Sequence, residues 1–72
     1  MYSRFRELRE DKDMNQTTMA KLLDMSQTGY SKYETGENDV PTAVLIKLAQ
    51  IHDTSVDYLL GLTKERKPYP RG

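Results

Sequence analysis

Residues 16–36 carry the side chains of this chain that are best suited to hydrogen-bond a partner. The amide of Gln27 can pair with N6 and N7 of adenine, and the ammonium of Lys32 can donate to O6 and N7 of guanine. Thr28 offers a hydroxyl group and a methyl group, the latter suited to thymine. Such residues are also typical of an ordinary solvated helix face, so the elements that position them must decide between the two interpretations.

The sequence contains no set of residues typical of catalysis or metal binding. It has no Cys and a single His, which excludes thiolate sites and the usual zinc ligand sets. A nucleophile–histidine pair, paired carboxylates in a pocket and a phosphate-binding loop are also missing. We therefore predict that the chain is not an enzyme, and we expect no metal, no cofactor and no small-molecule ligand.

A chain of 72 residues is long enough for one domain with a modest core. Its first residues are charged and lack the apolar region of a signal peptide. The longest apolar run, residues 43–46, is far too short to span a bilayer. We expect a cytoplasmic protein with no membrane partner.

The charges are balanced in total and unevenly distributed. The formal net charge of +0 counts against a nucleic-acid partner, for which a basic balance is typical. Acidic residues are in excess over residues 37–63 and basic residues over 64–72. Because only the docking face needs local positive charge, a neutral domain can still bind DNA.

Hydrophobic spacing predicts five short helices and no strand, and hence an all-α fold. The helices are expected at about 4–12, after Asn15, and at 27–35, 42–51 and 56–60. Asn15, Ser26 and Ser55 are typical N-cap residues, and Gly36 and Gly61 are typical of helix ends. Residues 1–63 form the predicted domain, and residues 64–72 form a predicted basic, flexible tail that contains two prolines.

The second and third predicted helices are joined by a tight turn at residues 24–26, with the small residue Ala20 where the helices must cross. This arrangement lets the third helix project from the domain and enter a DNA groove. His52 falls on the core side of the fourth helix, where we expect a packed, hydrogen-bonded ring.

A series of short motifs runs through the chain in order. They are Arg9, Gln16, Ala20, Ser26-Gln27-Thr28, Ser-Lys-Tyr-Glu-Thr-Gly at residues 31–36, Pro41, Leu48-Ala49, and Ser-Val-Asp-Tyr-Leu-Leu-Gly at residues 55–61. Together they resemble the phage-repressor and Cro type of helix-turn-helix domain, the XRE family. The resemblance covers about Arg4 to Thr63 and implies a five-helix, repressor-like domain. Asp13 and Asp24 stand where that family commonly has Gly, so we expect left-handed backbone at both.

The resemblance also implies roles for particular residues. The third helix would read base edges through Gln27, Thr28 and Lys32. The implied phosphate contacts are Gln16, Ser26, Gly29, Thr35 and Asn38. Gln16 opens the second helix, where its amide and the helix N-terminal N–H groups can clamp a phosphate, the alternative being a simple first-turn residue. Arg9 and Glu34 would form a structural ion pair across the core, the alternative being two independent surface charges.

The expected function is sequence-specific DNA binding by a transcriptional regulator, with a repressor favoured. One helix-turn-helix covers too little surface for tight binding, so a homodimer on a palindromic operator of double-stranded DNA is expected. Candidate dimer contacts are Ile46, Val56, Tyr58 and Leu62. The alternative is an antitoxin or another protein-interaction module that uses the same fold, which the neutral charge and the acidic segment 37–63 favour slightly.

Overall fold

The structure is a computed structural model, and it describes residues 3–68. Within this range the chain forms five helices and no strand, which confirms the predicted all-α class. The helices are α1 (Ser3–Asp11), α2 (Gln16–Leu22), α3 (Gln27–Thr35), α4 (Thr42–Ile51) and α5 (Val56–Leu59). Helix α1 begins and ends one residue earlier than predicted, and α5 is one residue shorter.

Each helix contributes one large, completely buried side chain to a common core. These side chains are Phe5, Met19, Tyr30, Leu48 and Leu59, which are at most 1% exposed. Burying a side chain of this size stabilises a fold by about 1.5–3 kcal/mol, so five of them account for a large part of the stability of so small a domain. The core therefore fixes the position of every helix relative to the others.

Local side-chain hydrogen bonds set the helix starts. The side chains of Asn15, Ser26 and Ser55 each accept a hydrogen bond from the backbone N–H three residues further on, at 2.8, 3.0 and 3.0 Å. Each bond satisfies a backbone donor that has no partner within the helix. Pro41 precedes α4 without a side-chain cap. The three predicted N-caps are thus confirmed.

Left-handed backbone is found at both aspartates where it was predicted. Asp13 and Asp24 have φ angles of 55° and 56°, in the turns that precede α2 and α3. Asp53, with φ 50°, is a third such position and was not predicted. Aspartate tolerates this conformation better than most residues because its short polar side chain can hydrogen-bond locally. Three tight turns are therefore made without glycine.

His52 is buried at the end of α4, as expected, but its ring is not hydrogen-bonded within the described residues. Burial disfavours the charged imidazolium, and the charges of Lys12 and Arg66 add to this effect. Together they lower the pKa of His52 to about 4. The ring is therefore held in its neutral form at physiological pH.

The chain after α5 contacts the domain at Arg66. Thr54 Oγ1 donates to the backbone oxygen of Arg66 at 2.6 Å, and the Arg66 guanidinium lies 3.1 Å from Asp11. Residues 69–72 of the predicted tail lie outside the described residues, so the flexible tail stays a prediction. No helix in the described part of the chain is long and apolar enough to cross a membrane.

Candidate nucleic-acid interface

Helices α2 and α3 cross at a small buried residue. Ala20 is 1% exposed, and its backbone oxygen accepts a hydrogen bond from the Met25 backbone at 3.0 Å, which ties the turn to α2. Gly29, near the start of α3, also lies at a close approach. A Cβ atom there would be 3.1 Å from both Met25 Cε and Ser26 Oγ. Small residues thus hold the turn tightly against both helices, as the helix-turn-helix arrangement requires.

The three residues predicted to read bases lie exposed on α3. Gln27, Thr28 and Lys32 are all solvent-accessible. Gln27 is held in place, since its Nε2 donates to Oε1 of Gln16 at 2.7 Å. The structure thereby brings together two residues to which the sequence analysis assigned separate roles, one for bases and one for phosphates.

Gln16 connects this exposed amide to the buried ion pair. Its Nε2 donates to Glu34 Oε1 at 3.1 Å, and Glu34 in turn pairs with Arg9. The hydrogen bonds therefore run in a continuous series from Gln27 through Gln16 to Glu34. Because each amide both donates and accepts, this series fixes which end of the Gln27 amide points outward. Gln16 donates through Nε2 to the buried Glu34 and accepts through Oε1 from Gln27.

Arg9 and Glu34 are the pair that the resemblance implies. Arg9 Nε lies 2.7 Å from Glu34 Oε2, and a second guanidinium nitrogen lies 3.1 Å from Oε1, so the contact is bidentate. A third nitrogen of Arg9 donates to the backbone oxygen of Met14 at 2.9 Å. The side chains are 11% and 4% exposed. This geometry satisfies both buried charges with hydrogen bonds.

The surroundings stabilise the charged form of both partners. Burial by itself raises the pKa of Glu34, but the hydrogen bonds from Arg9 and Gln16 and the nearby Tyr30 hydroxyl outweigh burial, so the pKa lies below its usual value. The hydrogen bond to Glu34 raises the pKa of Arg9 in spite of burial. Burial, reinforced by the neighbouring Glu34 carboxylate, raises the pKa of Tyr30. The Tyr30 hydroxyl lies beside Glu34 without a hydrogen bond of good geometry in the described residues.

An open depression of about 240 Å³ lies beside this network. It is lined by Arg6, Arg9, Gln16, Glu34 and Thr35. Two of the predicted phosphate contacts, Gln16 and Thr35, therefore share one site. Arg6 was missed by the sequence analysis, because one charged residue on the exposed face of a first helix resembles any other.

The remaining predicted phosphate contacts lie at the two ends of α3. Ser26 and Gly29 are at its start, where the Ser26 hydroxyl accepts from the Gly29 N–H. Asn38 is exposed in the loop after α3, and its backbone N–H donates to the oxygen of Lys32 at 3.2 Å. Within residues 3–68, no group of three or more His, Asp or Glu side chains is placed to hold a metal ion.

Residues 5–59 match the sequence model of the family described as Helix-turn-helix. This chain belongs to that family. The match spans all of the helices described above except the first two residues of α1. Members of this helix-turn-helix family are transcriptional regulators and not enzymes.

Several curated relatives from Bacillus subtilis are similar to this helix-turn-helix chain. The uncharacterized HTH-type transcriptional regulator YobD is 34% identical over 90% of this chain and 58% of its own length. The HTH-type transcriptional regulator AnsR is 34% identical over 94% of this chain and 59% of its own length. ImmR, another HTH-type transcriptional regulator, is 34% identical over 81% of this chain and 46% of its own length. The chain thus spans about half the length of these relatives, and no solved structure matches it significantly.

Proposed function

We propose that this helix-turn-helix domain binds double-stranded DNA sequence-specifically through α3 and regulates transcription in the cytoplasm, most simply as a repressor. The observation that carries the proposal is the 2.7 Å hydrogen bond from Gln27 to Gln16 on the exposed side of the helix pair. A glutamine held by a second glutamine has fewer conformations to lose on binding, which favours a bidentate contact to adenine. Thr28 and Lys32 extend the same reading surface toward thymine and guanine.

The phosphate contacts proposed for Gln16, Ser26, Gly29, Thr35 and Asn38 fit this docking. Gln16 and Thr35 line the depression beside α3, and Ser26 and Gly29 lie at the N-terminal end of that helix. Contacts on both sides of a helix in the major groove fix its register without reading sequence. Residues 1–63 would carry this function, with residues 64–72 as a basic addition that contacts the domain at Arg66.

A homodimer on a palindromic operator is part of the proposal. Among the candidate dimer contacts, Ile46 is 49% exposed and Leu62 is 73% exposed, whereas Val56 and Tyr58 are half-buried. Exposed aliphatic side chains near α5 supply apolar area that a second copy can cover. Two copies would place their α3 helices in successive major grooves, about 34 Å apart.

The proposal is tested by selecting duplexes from a random library with the purified chain. We expect enrichment of an inverted repeat whose half-sites are centred about ten base pairs apart, and a dimer in sedimentation of the complex. Affinity for the selected duplex should fall steeply with salt, with a slope of about −0.9 per phosphate contacted. Selection that yields no enriched sequence would contradict the proposal. Enrichment of a single half-site bound by a monomer would contradict only its dimeric part.

The alternative function is that of an antitoxin or another protein-interaction module. The exposed Leu62 and the acidic excess over residues 37–63 favour it. This alternative predicts that a stable complex with a different protein forms at the α5 side, and that Leu62→Glu abolishes that complex. Loss of homodimerisation in Leu62→Glu, with no other partner, would instead favour the repressor.

A further inference from the structure

The depression beside α3 contains one guanidinium that the ion pair does not use. Arg9 is buried and is committed to Glu34 and to the Met14 oxygen. Arg6 lies one turn earlier on α1, and its side chain is 69% exposed. Its Nε is 3.6 Å from Glu10 Oε2, too long for a hydrogen bond of normal strength. An exposed pair of this kind contributes little to stability and exchanges partners readily.

The charges that line the depression do not cancel. Arg9 and Glu34 neutralise one another, so the positive charge of Arg6 is left over. The volume of about 240 Å³ is ample for a phosphate group. Gln16 and Thr35, which we propose as phosphate contacts, line the same space. A phosphate placed there would therefore meet a planar guanidinium fork, which suits its oxygens.

We propose that Arg6 is a further phosphate-binding residue of the DNA interface, and that Glu10 competes with the DNA for its guanidinium. The proposal rests on the DNA-binding function proposed above. In the free protein Arg6 contacts Glu10, and on DNA it turns to the phosphate that enters the depression. A chain of zero net charge can thereby present a positive docking site. The guanidinium of Arg6 is partly neutralised by Glu10 in the free protein and becomes available to the phosphate on binding.

The test compares three variants on the duplex that the wild-type chain selects from a random library of about 30 base pairs. Arg6→Gln should lower the salt slope by about 0.9 per half-site and weaken binding by about eightfold per half-site at 0.1 M salt, with the base preference unchanged. Arg66→Gln is the matched control, because it removes one exposed arginine that also pairs with a carboxylate but lies outside the depression. It should leave the slope unchanged. Glu10→Gln should bind more tightly than the wild type.

Two further measurements keep the result decisive. Arg6→Lys retains the charge and should retain the slope, and thermal melting checks that every variant is folded. Equal slopes for Arg6→Gln and Arg66→Gln, or weaker binding by Glu10→Gln, would overturn the role of Arg6 while leaving DNA binding intact. Failure of the wild-type chain to bind any duplex would overturn the proposed function, and the role of Arg6 with it.

Discussion

Two arginine–carboxylate pairs of this domain both lie within hydrogen-bond distance, in very different surroundings. Arg9 and Glu34 meet at 2.7 Å, and their side chains are 11% and 4% exposed. Arg66 and Asp11 meet at 3.1 Å, and theirs are 55% and 56% exposed. Water and salt screen the second pair, whereas the first is buried beside Tyr30 and the Met14 backbone oxygen. We therefore expect burial, more than distance, to set what each pair contributes.

The two pairs also differ in what they are connected to. Glu34 accepts a hydrogen bond from Gln16, which holds Gln27 on the proposed reading face. Asp11 and Arg66 connect the end of α1 to the chain after α5, away from that face. The buried pair therefore supports both the fold and the proposed interface. The exposed pair only joins two segments of the chain to each other.

The largest effect is expected from Glu34→Gln. This change leaves the Arg9 guanidinium without its carboxylate in a nearly dry environment, which should lower the free energy of unfolding by about 3 kcal/mol. In a domain of this size the melting temperature should fall by about 15 °C, as measured by circular dichroism. A decrease no larger than that of Asp11→Asn would contradict the comparison.

A double variant separates stability from binding. Arg9→Met with Glu34→Leu replaces the pair by apolar groups and should regain most of the lost stability, because no buried charge is left alone. The same variant removes the acceptor that holds Gln16, so it should still bind the selected duplex more weakly than the wild type. Wild-type affinity in this variant would show that the network does not support the reading face.

The second-largest effect is a pH dependence of the free energy of unfolding, caused by His52. Its pKa is about 4 in the folded chain and about 6.5 when unfolded, so between these values only the unfolded state takes up the proton. Stability should therefore fall by up to about 3 kcal/mol as the pH drops from 6.5 to 4. The lowered pKa of Glu34 acts in a more acidic range: its contribution is present above pH 4.5 and is lost as the pH falls through the folded-state pKa.

Urea unfolding, measured at several pH values between 7 and 5, isolates the contribution of His52 to stability. Stability of the wild type should decrease across this range, and stability of His52→Leu should be nearly constant. Parallel pH profiles for the two proteins would show that His52 is not the group that titrates.

A smaller effect is expected from Gln27→Ala, at the exposed end of the network. Affinity for the selected duplex should fall by about 1–3 kcal/mol per half-site, with preference lost at one base pair, as the loss of a bidentate contact to adenine predicts. The melting temperature should hardly change, because the side chain is exposed. Quantitative electrophoretic binding to duplexes with each base at every position provides the measurement. Unchanged base preference would exclude Gln27 from readout.

The smallest effect is expected from Asp11→Asn. It breaks an ion pair whose side chains are more than half exposed, so the free energy of unfolding should change by less than about 1 kcal/mol. Raising the salt concentration should reduce even this difference between variant and wild type. A loss comparable to that of Glu34→Gln would mean that burial does not distinguish the two pairs.

The features predicted from the sequence are those that depend on neighbours in the chain. Asn15, Ser26 and Ser55 cap helices through residues three positions away, and Gly36 ends α3 with a φ of 84°. The bounds of α3 and α4 agree with the structure for the same reason. The left-handed backbone at Asp53 was not predicted from the sequence.

The hydrogen-bond network could not be predicted from the sequence. Gln16, Gln27 and Glu34 meet across a helix crossing, and which amide atom meets which oxygen depends on side-chain rotamers that spacing does not reveal. Arg6 was missed for a related reason, since only the packing of α1 beside α2 and α3 places it in the depression. Residue types indicated the interface, and tertiary packing gave it its particular contacts.

The single core built from one buried side chain of each helix has a consequence for motion. Because Phe5, Met19, Tyr30, Leu48 and Leu59 belong to one core cluster, we expect detachment of any one helix to expose core surface of the others and so to be costly. Amide hydrogen exchange in the middle of α3 should then be as slow as in α4, through one all-or-none opening. Whatever α3 binds would encounter a rigid rod that is either fully formed or entirely absent.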